Sequence, residues 1–152
     1  MKYGFFNVAA AVPAVKVADV TYNVQQIESI VAQAEGRGVE VLVTPELSLT
    51  GYTCQDLFRE QLLLDKAEEG ILQLLDFTRK LDIIIVVGCP VVINALLYNC
   101  AVVIQRGQIL GIVPKTYLPN YGEFYEKSRG ETACAFTILQ CAPRWALMKV
   151  VL

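Results

Sequence analysis

Residues 20–46, VTYNVQQIESIVAQAEGRGVEVLVTPE, indicate the fold, because their apolar pattern changes from that of a helix to that of a strand. The first part carries one apolar stripe at helical spacing, formed by Val20, Val24, Ile27, Val31 and Ala34. Gly36 and Gly38 are typical of a helix end. Residues 40–44 then predict a short strand, which Pro45 and Glu46 terminate.

The residues before this stretch predict another strand. Residues 3–12 are apolar almost throughout, so we expect a strand that is covered on both faces. Strand, helix and strand in succession form a βαβ unit, whose two strands are parallel and whose crossover is right-handed.

The second half of the chain predicts further strands after a helical segment. Asp56 is a candidate cap for a short helix over residues 57–64, and a longer helix is predicted over 65–81. Residues 83–105 carry no charge and are long enough to span a bilayer, but glycine, proline and asparagine interrupt them, which favours two buried strands beginning with residues 83–87. Residues 97–105 and 108–113 flank Arg106-Gly107 as a hairpin would. The pattern predicts a layered α/β fold.

Composition excludes several kinds of chemistry. The 152 residues include no histidine, which excludes Ser-His-Asp catalysis and most zinc sites, so we expect no metal centre. A net charge of −2 gives no reason to expect nucleic acid or a membrane as a partner. The five cysteines form no CxxC pair, and we interpret them as free thiols in the reducing cytoplasm, with Cys89 and Cys100 packed in the core.

Two charged residues are candidates for a functional site. Glu46 follows the second strand, and ligands of open α/β sheets bind outside the carboxyl ends of strands. An ordinary exposed loop carboxylate is the alternative. Lys115 follows the hairpin, and three tyrosines, a phenylalanine and two carboxylates lie within eleven residues of it. Such a mixture suits a small-molecule pocket, although a surface loop can have the same composition.

The segments around these residues resemble a known family. Residues 44–52, TPELSLTGY, and 114–126, PKTYLPNYGEFYE, resemble two of the three catalytic motifs of the nitrilase, or carbon-nitrogen hydrolase, superfamily. Residues 54–58, CQDLF, and 117–126 look particularly like the glutaminase domain of glutamine-dependent NAD synthetases. The resemblance covers residues 1–127 and implies a nitrilase-like α-β-β-α sandwich that is incomplete in this chain.

The resemblance also implies an activity and roles for residues. Glutamine or another small amide would be hydrolysed by a Cys-Glu-Lys mechanism through a thioester. Glu46 matches the general base, Lys115 the cation that stabilises the oxyanion, and Glu123 an additional carboxylate near that lysine. The wall of the substrate pocket would be formed by Tyr52, Tyr121, Phe124 and Glu126. The amidase part needs no cofactor; ATP and Mg²⁺ are expected only in a separate synthetase domain.

The third motif of the family, a nucleophilic cysteine followed by glutamate, has no counterpart in this chain. Cys134 and Cys141 are each followed by alanine. Residues 128–152 depart from the family pattern, and we expect a divergent tail from a truncated or frame-altered product, although a divergent strand pair is the alternative. The chain alone would then be inactive, and its uncovered apolar surface predicts a homo-oligomer. Two alternatives are another amidase of the superfamily and a non-catalytic, self-associating remnant.

Overall fold

A computed structural model of the chain describes residues 4–116, which form one mixed sheet and two helices. The elements in chain order are β1 Val8–Ala10, α1 Val20–Gly36, β2 Val41–Val43, a 3-10 segment Tyr52–Arg59, α2 Gln61–Thr78, β3 Ile84–Ile93, β4 Leu96–Gln105 and β5 Gln108–Pro114. The sheet order is β1-β2-β3-β4-β5; the first three strands are parallel, and β4 and β5 each run antiparallel to the preceding strand. The predicted α/β fold is confirmed.

Both helices pack on one face of the sheet. The Asp19 carboxylate caps α1 by accepting the Tyr22 backbone N–H at 3.0 Å. The predicted stripe of α1 is buried, together with Ile71 and Leu74 of α2. These side chains share one apolar core with alternate residues of the strands: Leu42, Ile85, Val87, Val102, Ile104 and Ile112.

The other face of the sheet is also apolar. Strand alternation places on it Val43, Val86, Val103 and Val113, and register aligns Val43 with Val86 and Val86 with Val103. Val43 and Val113 are exposed, at 43% and 52%. The described residues therefore form one helical layer and one sheet layer, and α1 and α2 both lie on the face opposite these valines.

Two predictions about local structure are wrong. The strand predicted over residues 3–12 is only three residues long and is not covered on both faces, since Val8 is 65% exposed. The physical reason is that Val8 aligns with Val41, on the sheet face that α1 and α2 do not cover, whereas Ala9 faces the core. The separate helices predicted over residues 57–64 and 65–81 are also wrong, because α2 runs unbroken from Gln61 and Glu60, not Asp56, is its N-cap. Glu60 is extended, with φ −82° and ψ 119°, so the preceding 3-10 segment does not continue into α2.

The two hairpins confirm the prediction for the apolar second half. Arg106 and Gly107 have φ 50° and 72°, as the turn between β4 and β5 requires. The third strand is longer than residues 83–87, because β3 continues through Pro90 to Ile93. Within residues 4–116, no helix is long and apolar enough to cross a membrane.

Candidate active site

The carboxylate of Glu46 is carried by a buried loop, residues 44–51, which we call the Glu46 loop. The Thr44 hydroxyl lies 2.7 Å from the Ser48 hydroxyl and donates to the Val86 carbonyl at 3.1 Å. Leu49 N–H donates to the Gly88 carbonyl at 3.2 Å. These bonds tie the loop to β3, so the path that brings Glu46 to the end of the parallel strands is fixed by buried hydrogen bonds.

Helix α1 holds the same loop from its other side. Asn23 is buried, and its Nδ2 donates to the Leu49 carbonyl at 3.0 Å and to the Lys16 carbonyl at 2.8 Å. A buried amide whose donors are both used orders the segments that it joins. The Glu46 loop is therefore anchored to both layers of the fold.

Gly88 permits the close approach of β3 to the Glu46 loop. A Cβ added at Gly88 would lie 2.3 Å from the Leu47 nitrogen and 2.6 Å from the Pro45 oxygen. Both contacts are with backbone atoms, which cannot rotate away as a flexible side chain can. Only glycine fits this position without displacement of the residues that flank Glu46.

Lys115 reaches the site from the opposite end of the described chain. Its backbone N–H donates to the Asn99 carbonyl at 2.8 Å, which extends the ladder between β4 and β5 beyond Pro114. Its Nζ lies 2.8 Å from Glu46 Oε1. The two side chains remain 28% and 39% exposed, so we attribute to this ion pair a geometric role more than a large stabilisation.

Sequence reasoning missed Asn99, which interrupts an apolar strand and was interpreted only as evidence against a membrane span. Asn99 lies in β4 and is 5% exposed, and its Nδ2 donates to Glu46 Oε1. The available signal was a single amide among apolar residues, because such a group in a buried strand requires a polar partner. Gly88 was missed as well, and its signal was a glycine inside an apolar strand.

A groove of about 340 Å³ lies beside this cluster, on the sheet face opposite the helices. Its floor is apolar and includes Val43, Val86, Ala101 and Val113. Among its lining residues in the described part, Glu46 and Lys115 are the charged ones. An apolar cleft with a few convergent polar groups is a common form of small-molecule site.

The structure brings two of the predicted site residues together and places the others elsewhere or leaves them outside the described part. Glu46 and Lys115, which are 69 positions apart in sequence, are brought into contact. Tyr52 lies at the start of the 3-10 segment, is half-buried against the core, and is not among the residues that line the groove. The four remaining candidates, Tyr121, Glu123, Phe124 and Glu126, lie outside the described residues 4–116, and their roles stay predictions.

The described cysteines are buried thiols. Cys54, Cys89 and Cys100 are free of disulfides. Desolvation raises the pKa of Cys100 to about 12, and burial raises that of Cys89 further. Cys100 borders the groove, but a thiol with so high a pKa supplies almost no thiolate at neutral pH. Within residues 4–116, no group of three or more Cys, Asp or Glu side chains is placed to hold a metal ion.

Comparison with known families matches the carbon-nitrogen hydrolase family over residues 7–142. Because the match covers most of the chain, this chain belongs to the carbon-nitrogen hydrolase family. The matched region ends at residue 142, beyond the predicted boundary of the family-like region at residue 127. The division of the chain at residue 127 stays a prediction.

Curated relatives and solved structures agree with this assignment. The chain is 39% identical over 124 residues to the glutamine-dependent NAD(+) synthetase of Mycobacterium leprae, which covers 82% of this chain and 18% of that protein. It is 36% identical over 110 residues to the enzyme of the same name from Arabidopsis thaliana, covering 71% of this chain and 15% of that protein. The chain thus spans less than a fifth of the length of these relatives.

Among solved structures, a glutamine-dependent NAD+ synthetase from Acinetobacter baumannii superposes with a TM-score of 0.80 at 31% identity, over 86% of this chain and 24% of that one. An amidase from Nesterenkonia sp. superposes with a TM-score of 0.72 at 20% identity, over 86% of this chain and 49% of that one. The second likeness shows the shared fold alone. The nitrilase-like assignment of the described layers is confirmed.

Proposed function

We propose that this chain is the N-terminal part of the glutamine amidohydrolase domain of a glutamine-dependent NAD synthetase. The observation that carries the proposal is the contact between Glu46 and Lys115 at the end of an apolar groove. The relatives at 36–39% identity favour the synthetase over another amidase of the superfamily. As in the resemblance, the synthetase domain, its ATP and its Mg²⁺ would belong to other parts of the full-length protein.

The proposed chemistry uses Glu46 as the general base. A cysteine thiol gives its proton to Glu46 as its sulfur attacks the side-chain amide carbon of glutamine. Lys115 stabilises the oxyanion of the tetrahedral intermediate. Glu46 then returns the proton to the departing nitrogen, so that ammonia and a thioester form, and water hydrolyses the thioester to glutamate. We propose that Glu123 supports Lys115 and that Tyr121, Phe124 and Glu126, together with Tyr52 outside the described groove, form the wall of the substrate pocket.

The nucleophile of this mechanism is not assigned to any cysteine of this chain. No cysteine here is followed by glutamate, and the pKa of Cys100, which borders the groove, is raised by burial. We therefore expect the 152-residue chain to show no glutaminase turnover. Turnover that disappears in Cys134→Ala or Cys141→Ala would contradict this placement of the nucleophile.

A chimeric enzyme tests the roles of Glu46 and Lys115. Residues 7–116 of this chain would replace the corresponding segment of the Mycobacterium leprae relative, and NAD formation would be measured with glutamine and, separately, with ammonium as the nitrogen source. Loss of a general base or of an oxyanion partner lowers turnover by about 100-fold or more. We expect Glu46→Gln and Lys115→Met to cause such a loss with glutamine and to leave the ammonium reaction intact.

The ammonium reaction is the internal control for folding of the chimera. Gln105→Ala, on the same strand β4 but far from the groove, is the matched substitution and should leave both reactions unchanged. Equal turnover of the parent chimera, Glu46→Gln and Lys115→Met with glutamine would refute the proposed function.

We also propose that the isolated chain self-associates in the cytoplasm. Large apolar side chains are exposed in the described part, most strongly at the β1 edge: Phe5, Phe6, Val8 and Val12. An uncovered edge and an apolar sheet face favour association with further copies. Light scattering that gives a clean monomer at protein concentrations of tens of micromolar would contradict this part of the proposal.

A further inference from the structure

Asn99 is an amide placed where the sheet would otherwise be apolar. It lies on the groove face of β4, two residues before Ala101, and it pairs in register with Pro90. It is 5% exposed, so an unbonded amide there would be strongly unfavourable. The hydrogen-bond partners of the Asn99 amide therefore indicate its role in the site.

Asn99 contacts both members of the ion pair, each through a different group. Its side-chain Nδ2 donates to Glu46 Oε1, and its backbone carbonyl accepts the Lys115 N–H at 2.8 Å. Lys115 Nζ closes the ring on the same Oε1 at 2.8 Å. One buried residue thus bonds to the carboxylate and to the backbone of the residue that supplies the cation.

We propose that Asn99 is a positioning residue for Glu46 and Lys115, an inference that rests on the proposed function of this pair. Two donors on Oε1 fix the rotation of the carboxylate and leave Oε2 to accept a proton from an incoming thiol. Within residues 4–116, Oε2 accepts no hydrogen bond. The bond from Lys115 N–H to the Asn99 carbonyl fixes the backbone position of Lys115 after β5. It therefore fixes the point from which the Lys115 side chain reaches Glu46.

The amide is suited to this role because it is neutral and can donate. It donates a hydrogen bond to the Glu46 carboxylate but carries no charge. A second cation at this position would instead compete with Lys115 for that carboxylate. An aspartate at this position would present a like charge to Glu46, and a hydrogen bond between the two carboxyl groups would form only when one of them is protonated. Asparagine and aspartate have nearly the same shape, so their comparison isolates the hydrogen bond and the charge from packing.

The first test is a double-mutant cycle in urea unfolding of the full chain, at neutral pH and one protein concentration. Asn99→Ala should raise the unfolding equilibrium constant by about tenfold or more in the parent chain, and by less than about threefold in the Glu46→Ala background. The second factor is smaller because the partner of the amide is already absent. An equal factor in both backgrounds would mean that Asn99 is merely structural, and it would overturn the inference.

The second test compares Asn99→Asp with Gln108→Glu, which adds a carboxylate at an exposed position at the start of β5, outside the groove. Two carboxylates in one site take up a shared proton at higher pH than isolated ones do. The destabilisation by Asn99→Asp should therefore be largest at pH 7 and should shrink as pH falls towards about 4. The Gln108→Glu variant should not show this recovery.

A pH-independent loss in Asn99→Asp would contradict the inference. If that variant has no folded baseline, the alanine cycle decides alone. Both tests measure the coupling of Asn99 to Glu46 in this chain and do not depend on turnover. If Glu46→Gln and Lys115→Met leave the glutamine reaction of the chimera unchanged but the double-mutant cycle shows coupling, the proposed function is rejected and the positioning of Glu46 by Asn99 stands. If both substitutions abolish the glutamine reaction but the cycle shows no coupling, the proposed function stands and the inference about Asn99 is rejected.

Discussion

The two segments that bring Glu46 and Lys115 together are held in different ways. The Glu46 loop is buried between layers, bonded to β3 and α1, and passes so close to Gly88 that no side chain fits there. Lys115 follows the last strand of the described sheet, and among residues 4–116 it is contacted by Asn99 through a backbone bond and by Glu46 through the ion pair. Glu46 is thus held by the core, whereas Lys115 is held at a sheet edge.

The difference implies that the site depends on the core for Glu46 and on a local contact for Lys115. Substitutions near the Glu46 loop should affect both stability and geometry. Substitutions at Lys115 should affect the pair and leave the fold almost unchanged. The following substitutions test this contrast.

Gly88→Ala should have the largest effect, because its Cβ would lie 2.3 Å from the Leu47 nitrogen and force the backbone apart. We expect a loss of about 3 kcal/mol or more in the free energy of unfolding, measured by urea denaturation. Gly111→Ala in β5 is the matched control, since nothing lies within 4 Å of its added Cβ. Equal small effects at the two glycines would show that the loop is free to move.

Thr44→Val should have an intermediate effect, because valine has the same shape but lacks the hydroxyl that meets Ser48 and the Val86 carbonyl. Loss of a buried hydroxyl that leaves its partners unsatisfied costs about 1–3 kcal/mol. Thermal and urea unfolding would measure the change. The exposed Thr21→Val on α1 is the control and should stay within about 0.5 kcal/mol of the parent.

The sequence predicts best those parts of the fold that local periodicity determines. The stripe of α1 and the Arg106–Gly107 turn follow from spacing and from turn chemistry, and both are confirmed. The exposure of Val8 in β1 could not be predicted, because an apolar strand has the same pattern whether its second face is covered or open. The passage of β3 through Pro90 has a similar cause: beyond Val86, β2 no longer pairs with β3, so a residue without an N–H is tolerated there.

The candidate site shows the same limit. Glu46 and Lys115 could be proposed because each follows a strand in a distinctive motif. The sequence marks Asn99 only as an amide that needs a polar partner; it does not identify that partner, because the contact depends on a register that pairs Asn99 with Pro90 and on a carboxylate 53 positions away. Tertiary contacts of this kind leave no periodic trace in a single sequence.

Lys115→Met should have a small effect on stability, which is the other half of the comparison. The ion pair is partly exposed, and such pairs contribute about 0.2–1 kcal/mol. Urea unfolding should therefore change by less than about 1 kcal/mol, while the glutamine-dependent reaction of the chimera is lost. A loss as large as that in Gly88→Ala would place Lys115 in the core scaffold and remove the contrast.

The smallest effect should be that of salt on the pair. Screening shortens the range of charge interactions to about 10 Å at 0.1 M salt and about 3 Å at 1 M, and it weakens exposed pairs most. The stability difference between the parent chain and Lys115→Met should therefore shrink by a few tenths of a kcal/mol, roughly, between these concentrations. The difference between the parent and Thr44→Val should not change, because the hydroxyl network is neutral and buried. If salt changed the Lys115→Met difference and the Thr44→Val difference equally, it would act on the whole chain. Lys115 at the sheet edge would then not differ from the buried Glu46 loop in its response to salt.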